Sequence, residues 1–331
     1  MAQRASRHPR QTERPARVAA MSLLVGCLIP GMMLLGSARV GAASVAKAAR
    51  SSRATHDAIG GVGGFGAQRH IVIPAGTISA SHPLRVMFIG DSVMADAELG
   101  VAQALSATGE ATSFPNMMIA FGLSTHPDWP TEFPTLINAE RPQLIMGTWS
   151  WDFGGPTTPN ALHQPKQYAA LMERFLRTLL APGDGVDGVM LLEFPPSGIV
   201  AGASPAVRAS DKAEAEGRAA WDSIAERMPT QFPGRVMYLP WAGSILLDGR
   251  YSTWLPPLGN LSAPKAQWVR VRKLDDTHLC PQGSARLGLA ITEDLKLIVG
   301  LAPPKGQWFD GPWTTNPEFN DPPGACPDDH P

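Results

Sequence analysis

Arg85-Val86-Met87-Phe88-Ile89-Gly90-Asp91-Ser92 carries the clearest fold signal in the chain. A short apolar run that stops at Gly-Asp-Ser reads as a strand buried on both faces and ending in a tight turn. Helical sequence follows from about Ala95 to Ala107. The same unit recurs down the chain. Gln143–Gly147 is a second buried strand, preceded by a helix near Glu132–Glu140, and Tyr168–Leu180 carries helical periodicity. Gly188–Glu193 is a third strand, stopped by Pro195-Pro196, and Arg235–Leu239 a fourth. A polar helix spans Ala209–Met228 between them, and Gly283–Val299 is the last helix. Strands alternating with helices of this length predict an α/β protein, a three-layer α/β/α sandwich with a mainly parallel, flavodoxin-like sheet. His70–Ile73 reads as a short edge strand. Residues 241–270, with Trp241, Trp254, Trp268 and several Pro, read as an insertion near the strand ends, where α/β proteins bind ligands.

Both ends of the chain read differently. Arg4, Arg7, Arg10, Arg14 and Arg17 precede an apolar run from Val18 to Leu35, and small residues follow through Ala42. A basic segment, an apolar segment and an A-x-A-like end describe an export signal over residues 1–42, as a cleaved signal peptide or a retained anchor. Leu24-Val25-Gly26-Cys27 adds a lipidation-like box. Residues 43–80 are rich in Ala, Ser and Gly and read as a low-complexity linker, which leaves 81–302 as the domain. Residues 303–331 form a Pro-rich, acidic C-terminal tail without periodicity. The expected location is secreted or in the cell envelope, with membrane contact only through the N-terminal segment.

The 331 residues are 44% apolar and 17% charged, enough for a substantial core. Residues 1–42 hold six Arg and one Glu, so without them the chain's 28 basic and 29 acidic residues become 22 and 28, a net charge of −6. That balance, with no large basic patch, argues against nucleic acid as a partner. Cys280 and Cys326 are the cysteines beyond the signal, and an even pair in an oxidising compartment predicts one disulfide. No cluster with metal-ligand spacing is present, so neither metal nor cofactor is expected. His126 and His163 stand in Pro-rich loops and read as solvated surface residues.

A serine at the carboxyl end of the first strand is placed for nucleophilic work. The helix after it offers backbone N–H groups to a developing oxyanion. Read alone, Ser92 is better taken as a helix N-cap, the commonest place for a serine before a helix. Asp275-Asp276-Thr277-His278 near the other end changes that weighting, because a serine needs a base and the base needs an orienting carboxylate. Asp275, three residues before His278, can curl back to the imidazole within one turn, and Asp276 is its rival. Asp91 reads as a residue that ties the turn by bonding nearby amides.

Gly90-Asp91-Ser92 after a first strand, with Asp-x-x-His before the last helix, resembles the SGNH/GDSL serine hydrolase superfamily. The two motifs bracket nearly all of the domain. The resemblance implies Ser92 as nucleophile with Asp275 and His278 as its partners. It also implies an oxyanion hole built from the backbone of Ser92 and of a glycine after the second strand, for which Gly122 is the candidate. The third motif of the family, Gly-x-Asn-Asp, is replaced here by Gly147-Thr148-Trp149-Ser150-Trp151-Asp152. The asparagine donor is absent, and Trp149 through its indole N–H, or Ser150, is the expected substitute. The Trp-rich block and a cysteine just past the histidine are similar to polysaccharide O-acetyltransferases of the trichome-birefringence type and related esterases. This implies an acyl ester substrate, carbohydrate- or lipid-linked. Trp149 and Trp151 sit at a strand end beside the expected site and are the candidate substrate contacts. Esterase and O-acyltransferase share the same triad, and a glycan-binding protein without catalysis is the third reading.

Overall fold

The computed structural model describes residues 71–73, 78–115, 120–154, 160–181, 183, 185–198, 205–328 and 331. The predicted export segment and nearly all of the predicted linker lie outside the described residues. In chain order the main elements are β1 (Leu84–Gly90), α1 (Ser92–Thr108), β2 (Ala111–Phe114), α2 (Trp129–Glu140), β3 (Leu144–Thr148) and α3 (Pro165–Leu179). There follow β4 (Gly188–Leu192), α4 (Pro205–Ala225), α5 (Met228–Gln231) and β5 (Val236–Leu239). Two small ribbons come next, β6 (Leu246–Leu247) with β7 (Arg250–Tyr251) and β8 (Trp254–Leu255) with β9 (Val269–Arg270). The last helix is α6 (Pro281–Val299).

The five long strands form one sheet in the order β2-β1-β3-β4-β5, and every pair in it is parallel. Strand alternation sorts the core into two layers. Met87, Ile89, Ile145, Val189 and Leu191 face α2, α3 and α4, where Phe133, Phe175, Leu179 and Trp221 meet them. Val86, Phe88, Met146, Met190 and Leu192 face α1 and α6, against Met94, Val101, Leu287 and Ile291. The architecture is the three-layer α/β/α sandwich, with the sheet order of the flavodoxin-like class.

Two close approaches fix the position of α1, and glycine makes both possible. A Cβ at Gly90 would collide with the Thr148 carbonyl and with Met94, so the strand could not turn tightly into α1. A Cβ at Gly100 would collide with the Ser284 backbone of α6. With that space left open, Ser284 Oγ donates to the Asp96 carbonyl (2.6 Å) and accepts from Gly100 N–H (2.7 Å), stitching α6 into one turn of α1.

Several sequence expectations are corrected here. Ile71–Ile73 is not an edge strand: Ile71 is buried in the core and Val72 N–H bonds the Gly234 carbonyl, without a ladder. β2 at the sheet edge has too little apolar content to stand out in the sequence, and it pairs with β1 from Leu84↔Ala111 to Met87↔Phe114. The 241–270 insertion forms the two ribbons. The tail is also structured, with 3-10 turns at Pro312–Thr315 and Pro317–Asn320. Phe319 and Ala325 are buried, and Leu274 N–H donates to the Ala325 carbonyl.

Cys280 and Cys326 are joined in a disulfide that pins this tail beside α6. Cross-linking across 46 residues restricts the unfolded chain by up to about 4 kcal/mol on the loop-entropy account. The double variant Cys280→Ser/Cys326→Ser is therefore expected to melt well below the wild type. An unchanged melting temperature would show that tail packing alone holds the segment.

Candidate active site

Asp91 caps α1. Its Oδ1 accepts Val93 N–H at 3.0 Å, so the Ser92 hydroxyl is not spent on capping. Asp91 Oδ2 accepts both the amide (2.7 Å) and the hydroxyl (2.6 Å) of Ser150, on the turn after β3. Asp91 is fully buried, and that burial raises its pKa against the pull of the Ser150 and Val93 bonds. Its role is to lock the turn. Ser92 begins the helix, at a position where the amide has no intrahelical partner.

The second half of the site is the turn before α6. Lys273 N–H donates to the His278 carbonyl (2.8 Å), closing the turn. Asp276 occupies the left-handed region (φ 60°), which aspartate tolerates better than most side chains. Asp275 Oδ1 accepts the amides of Thr277 (3.0 Å) and His278 (2.9 Å), and its Oδ2 lies 2.6 Å from His278 Nδ1. The ring's far nitrogen, Nε2, lies 2.8 Å from Ser92 Oγ. With Nδ1–H donating to the Asp275 carboxylate, Nε2 is the acceptor and Ser92 O–H donates to it. Asp276 turns away, accepting from the Tyr251 hydroxyl at 2.8 Å. Of the two aspartates, Asp275 is the one on the imidazole.

Electrostatics follow this geometry. Partial burial works to raise the Asp275 carboxyl, but the bonds from His278 and from the Thr277 and His278 amides outweigh it. They hold Asp275 well below the ordinary carboxylate range. Partial burial also works against a charged His278 ring, yet the Asp275 bond and charge, with the charge of Asp96, raise its pKa above 6.5. A base must be neutral to take a proton, so a raised pKa moves activity toward higher pH. The acid limb of kcat/KM is expected to have its midpoint above 6.5 and to move down in Asp275→Asn. A limb at or below 6.5 in the wild type contradicts this coupling.

The expected oxyanion residues divide. Gly122 lies between β2 and α2, where Phe121, Gly122 and Leu123 are buried, and its N–H has no acceptor among the described residues. That loop is held by Asp152, which takes the amides of Leu123 (2.7 Å) and Ser124 (3.0 Å). Asp91 and Asp152 thereby tie together the Ser92 turn, the turn after β3 and the Gly122 loop.

Trp149 is corrected as an oxyanion donor and as a substrate contact. It is 0% exposed, packs edge-on to Phe121, Phe175 and Trp221, and gives its indole N–H to Tyr168 Oη at 2.8 Å. The reason is alternation along β3: residues 145, 147 and 149 share the face toward α2 and α3. Tyr168 in turn donates to Asp152 at 2.6 Å, so Trp149 braces the Gly122 loop from inside. Ser150 is likewise committed, to Asp91. Trp151 stays half-buried on the turn.

Sequence reasoning assigned no role to Asp152, Tyr168, Asp96 or Lys273. Asp152 stood in the quoted third block. Asp96 had a usable signal, a charged residue one helical turn past Ser92 among Val93, Met94 and Ala97. His126, expected to be solvated, packs on Phe121 and pairs with Glu132 at 2.6 Å.

No protein-family model matches the chain. No curated protein matches it. Solved structures that match include GDSL-like lipases, an acylhydrolase described as putative, and esterases. A GDSL-like lipase from Bacteroides thetaiotaomicron is 10% identical, with a TM-score of 0.42 over 65% of this chain and 88% of that one. An aryl esterase from M. smegmatis is 13% identical, with a TM-score of 0.43 over 65% and 99%. A carbohydrate acetylesterase from Sinorhizobium meliloti is 15% identical, with a TM-score of 0.42 over 64% and 98%.

Proposed function

We propose that this chain is an exported serine esterase of the SGNH/GDSL type, which hydrolyses O-acyl esters through an acyl-Ser92 intermediate. The observation that carries the reading is the continuous relay Ser92 Oγ–His278 Nε2 (2.8 Å) and His278 Nδ1–Asp275 Oδ2 (2.6 Å). Ser92 Oγ attacks the acyl carbonyl as its proton passes to Nε2. The carbonyl oxygen becomes an oxyanion facing the amides of Ser92 and Gly122. Collapse expels the alcohol, which takes the proton from Nε2–H. His278 then deprotonates water, whose attack on the acyl-serine releases the carboxylic acid and restores Ser92.

Water is favoured over a sugar hydroxyl as acceptor because the site is open. The His278 side chain is 28% exposed and that of Asp275 47%, whereas acyl transfer requires water to be kept out. The disulfide supports the export part of the reading, since such bridges persist in oxidising compartments. We assign residues 1–42 to export from their basic, apolar and small-residue order, and the Ala-, Ser- and Gly-rich stretch of the 43–80 segment to a linker that ends before Ile71, which is buried in the core. Half-buried Trp151, next to the Ser150 that bonds Asp91, favours an O-acyl group on an envelope glycan or glycolipid.

Incubating the purified full chain with p-nitrophenyl acetate, with and without an added oligosaccharide, tests this reading. Hydrolysis predicts acetate equal to the nitrophenol released in both cases. A deficit of acetate matched by acetylated sugar would make the protein a transferase, and no release at all would overturn the reading.

A further inference from the structure

Ser92 and His278 stand 186 residues apart in the chain, on elements that must keep a fixed separation. A shift of about 1 Å between nucleophile and base is enough to cost on the order of 10²-fold in rate. Asp96 lies one turn beyond Ser92 on α1 and is 0% exposed. Its Oδ2 accepts the amide of Leu279, the residue after His278, at 2.9 Å. Its Oδ1 pairs with Lys273 Nζ at 3.0 Å. Lys273 is 3% exposed and opens the turn whose other end is His278. Its ammonium also donates to the carbonyls of Glu318 (2.7 Å) and Asp321 (3.3 Å), on the disulfide-tethered tail. The Ser284 hydroxyl, bonded to the Asp96 carbonyl, holds that same turn of α1 from the α6 side.

We infer that Asp96, held by Lys273, is the positioning residue that sets the His278 imidazole against Ser92 Oγ. It joins the helix of the nucleophile directly to both ends of the turn that carries the base. Stability alone does not explain it, because a buried ion pair is commonly replaced by apolar residues at no loss. What an apolar pair lacks is a directed tie: the carboxylate accepts the Leu279 amide through Oδ2 and holds the Lys273 ammonium beside Oδ1 as an ion pair, and so anchors the turn at both ends.

The charges support the same assignment. Burial pushes the Asp96 carboxyl up to about 6, with Lys273 and the Leu279 amide pulling it down. The groups facing His278 are Asp275 and Lys273 from its own turn, and Asp96 and Ser92 from α1. The Asp96 anion raises the His278 pKa and Lys273 lowers it.

The test compares the full chain as wild type, Asp96→Asn and Asp96→Ala, together with Asp96→Ala/Lys273→Met, which removes both charges of the pair should the single alanine variant fail to fold. Two readouts are taken: steady-state hydrolysis of p-nitrophenyl acetate and an NMR titration of the His278 ring. The alanine variants should lose about 10²-fold in kcat with KM within about twofold. Asp96→Asn, which still offers an oxygen to the Leu279 amide, should recover most of that loss. Its His278 midpoint should nevertheless fall below the wild-type value, because the anion is gone and the Lys273 cation remains. A folded alanine variant with wild-type kcat, a loss confined to KM, or an unmoved His278 midpoint in Asp96→Asn would overturn the assignment. The rate arm rests on the acyl-Ser92 reading, but the titration needs no substrate. If the wild type turns over no ester, that reading fails while the His278 midpoint still decides for or against Asp96.

Discussion

Ser92→Ala is expected to reduce ester hydrolysis by about 10⁶-fold, the scale on which triad enzymes lose turnover with their nucleophile. The fold should survive. Asp91, and not Ser92, caps α1, so the helix start keeps its side-chain bond. What the substitution removes is one partly exposed hydrogen bond to His278, worth on the order of 1 kcal/mol. The expected result is thus a large kinetic loss with a nearly unchanged melting temperature, read from initial rates and thermal unfolding of the same preparation. Residual turnover within about tenfold of wild type, in a folded variant, would remove Ser92 from the mechanism.

His278→Ala should be as damaging as Ser92→Ala, and the double variant no worse than either. Both residues act in one proton transfer, so once it is lost a second substitution has little left to remove. Asp275→Ala should cost less, because Nε2 can still accept from Ser92 when the ring is less well oriented. Asp276→Ala should cost least, since that carboxylate bonds Tyr251 rather than the imidazole. The five rates, measured at one pH above the His278 midpoint, check the order. If Asp276→Ala proves more damaging than Asp275→Ala, the turn has been read one residue out of register.

The parts of this molecule legible in the sequence are those whose cause is local. β1, β3, β4 and β5 are buried on both faces, so each shows as an unbroken apolar run. The turn at Asp275–His278 is equally local, because three residues suffice to bring the carboxylate under the ring. The parts not read depend on partners distant in sequence. β2 is a strand because β1 pairs with it, and the tail is ordered because Lys273, Leu274 and Cys280 hold it. Asp96 and Lys273 are separated by an entire domain and become a pair only when α1 packs beside the last turn.

Trp149 is a different case. The alternation that sorts Ile145 and Gly147 toward α2 and α3 extends one step past the end of β3. Carried that far, it places the indole in the core rather than in the site. The missing asparagine of the third motif calls for a donor at the strand end, and the pleat of the strand turns Trp149 away from that place. The same block nonetheless holds Asp152, whose carboxylate organises the Gly122 loop.

The central claim is that Ser92 is activated by His278, and covalent labelling tests it without any choice of substrate. A fluorophosphonate carries a tetrahedral phosphorus that an activated serine attacks, leaving a stable adduct whose position peptide mass spectrometry identifies. The account predicts rapid modification of the peptide containing Ser92 in the wild-type protein and none at matched exposure in His278→Ala. Modification at another residue, or labelling of Ser92 that proceeds equally fast without His278, would contradict it.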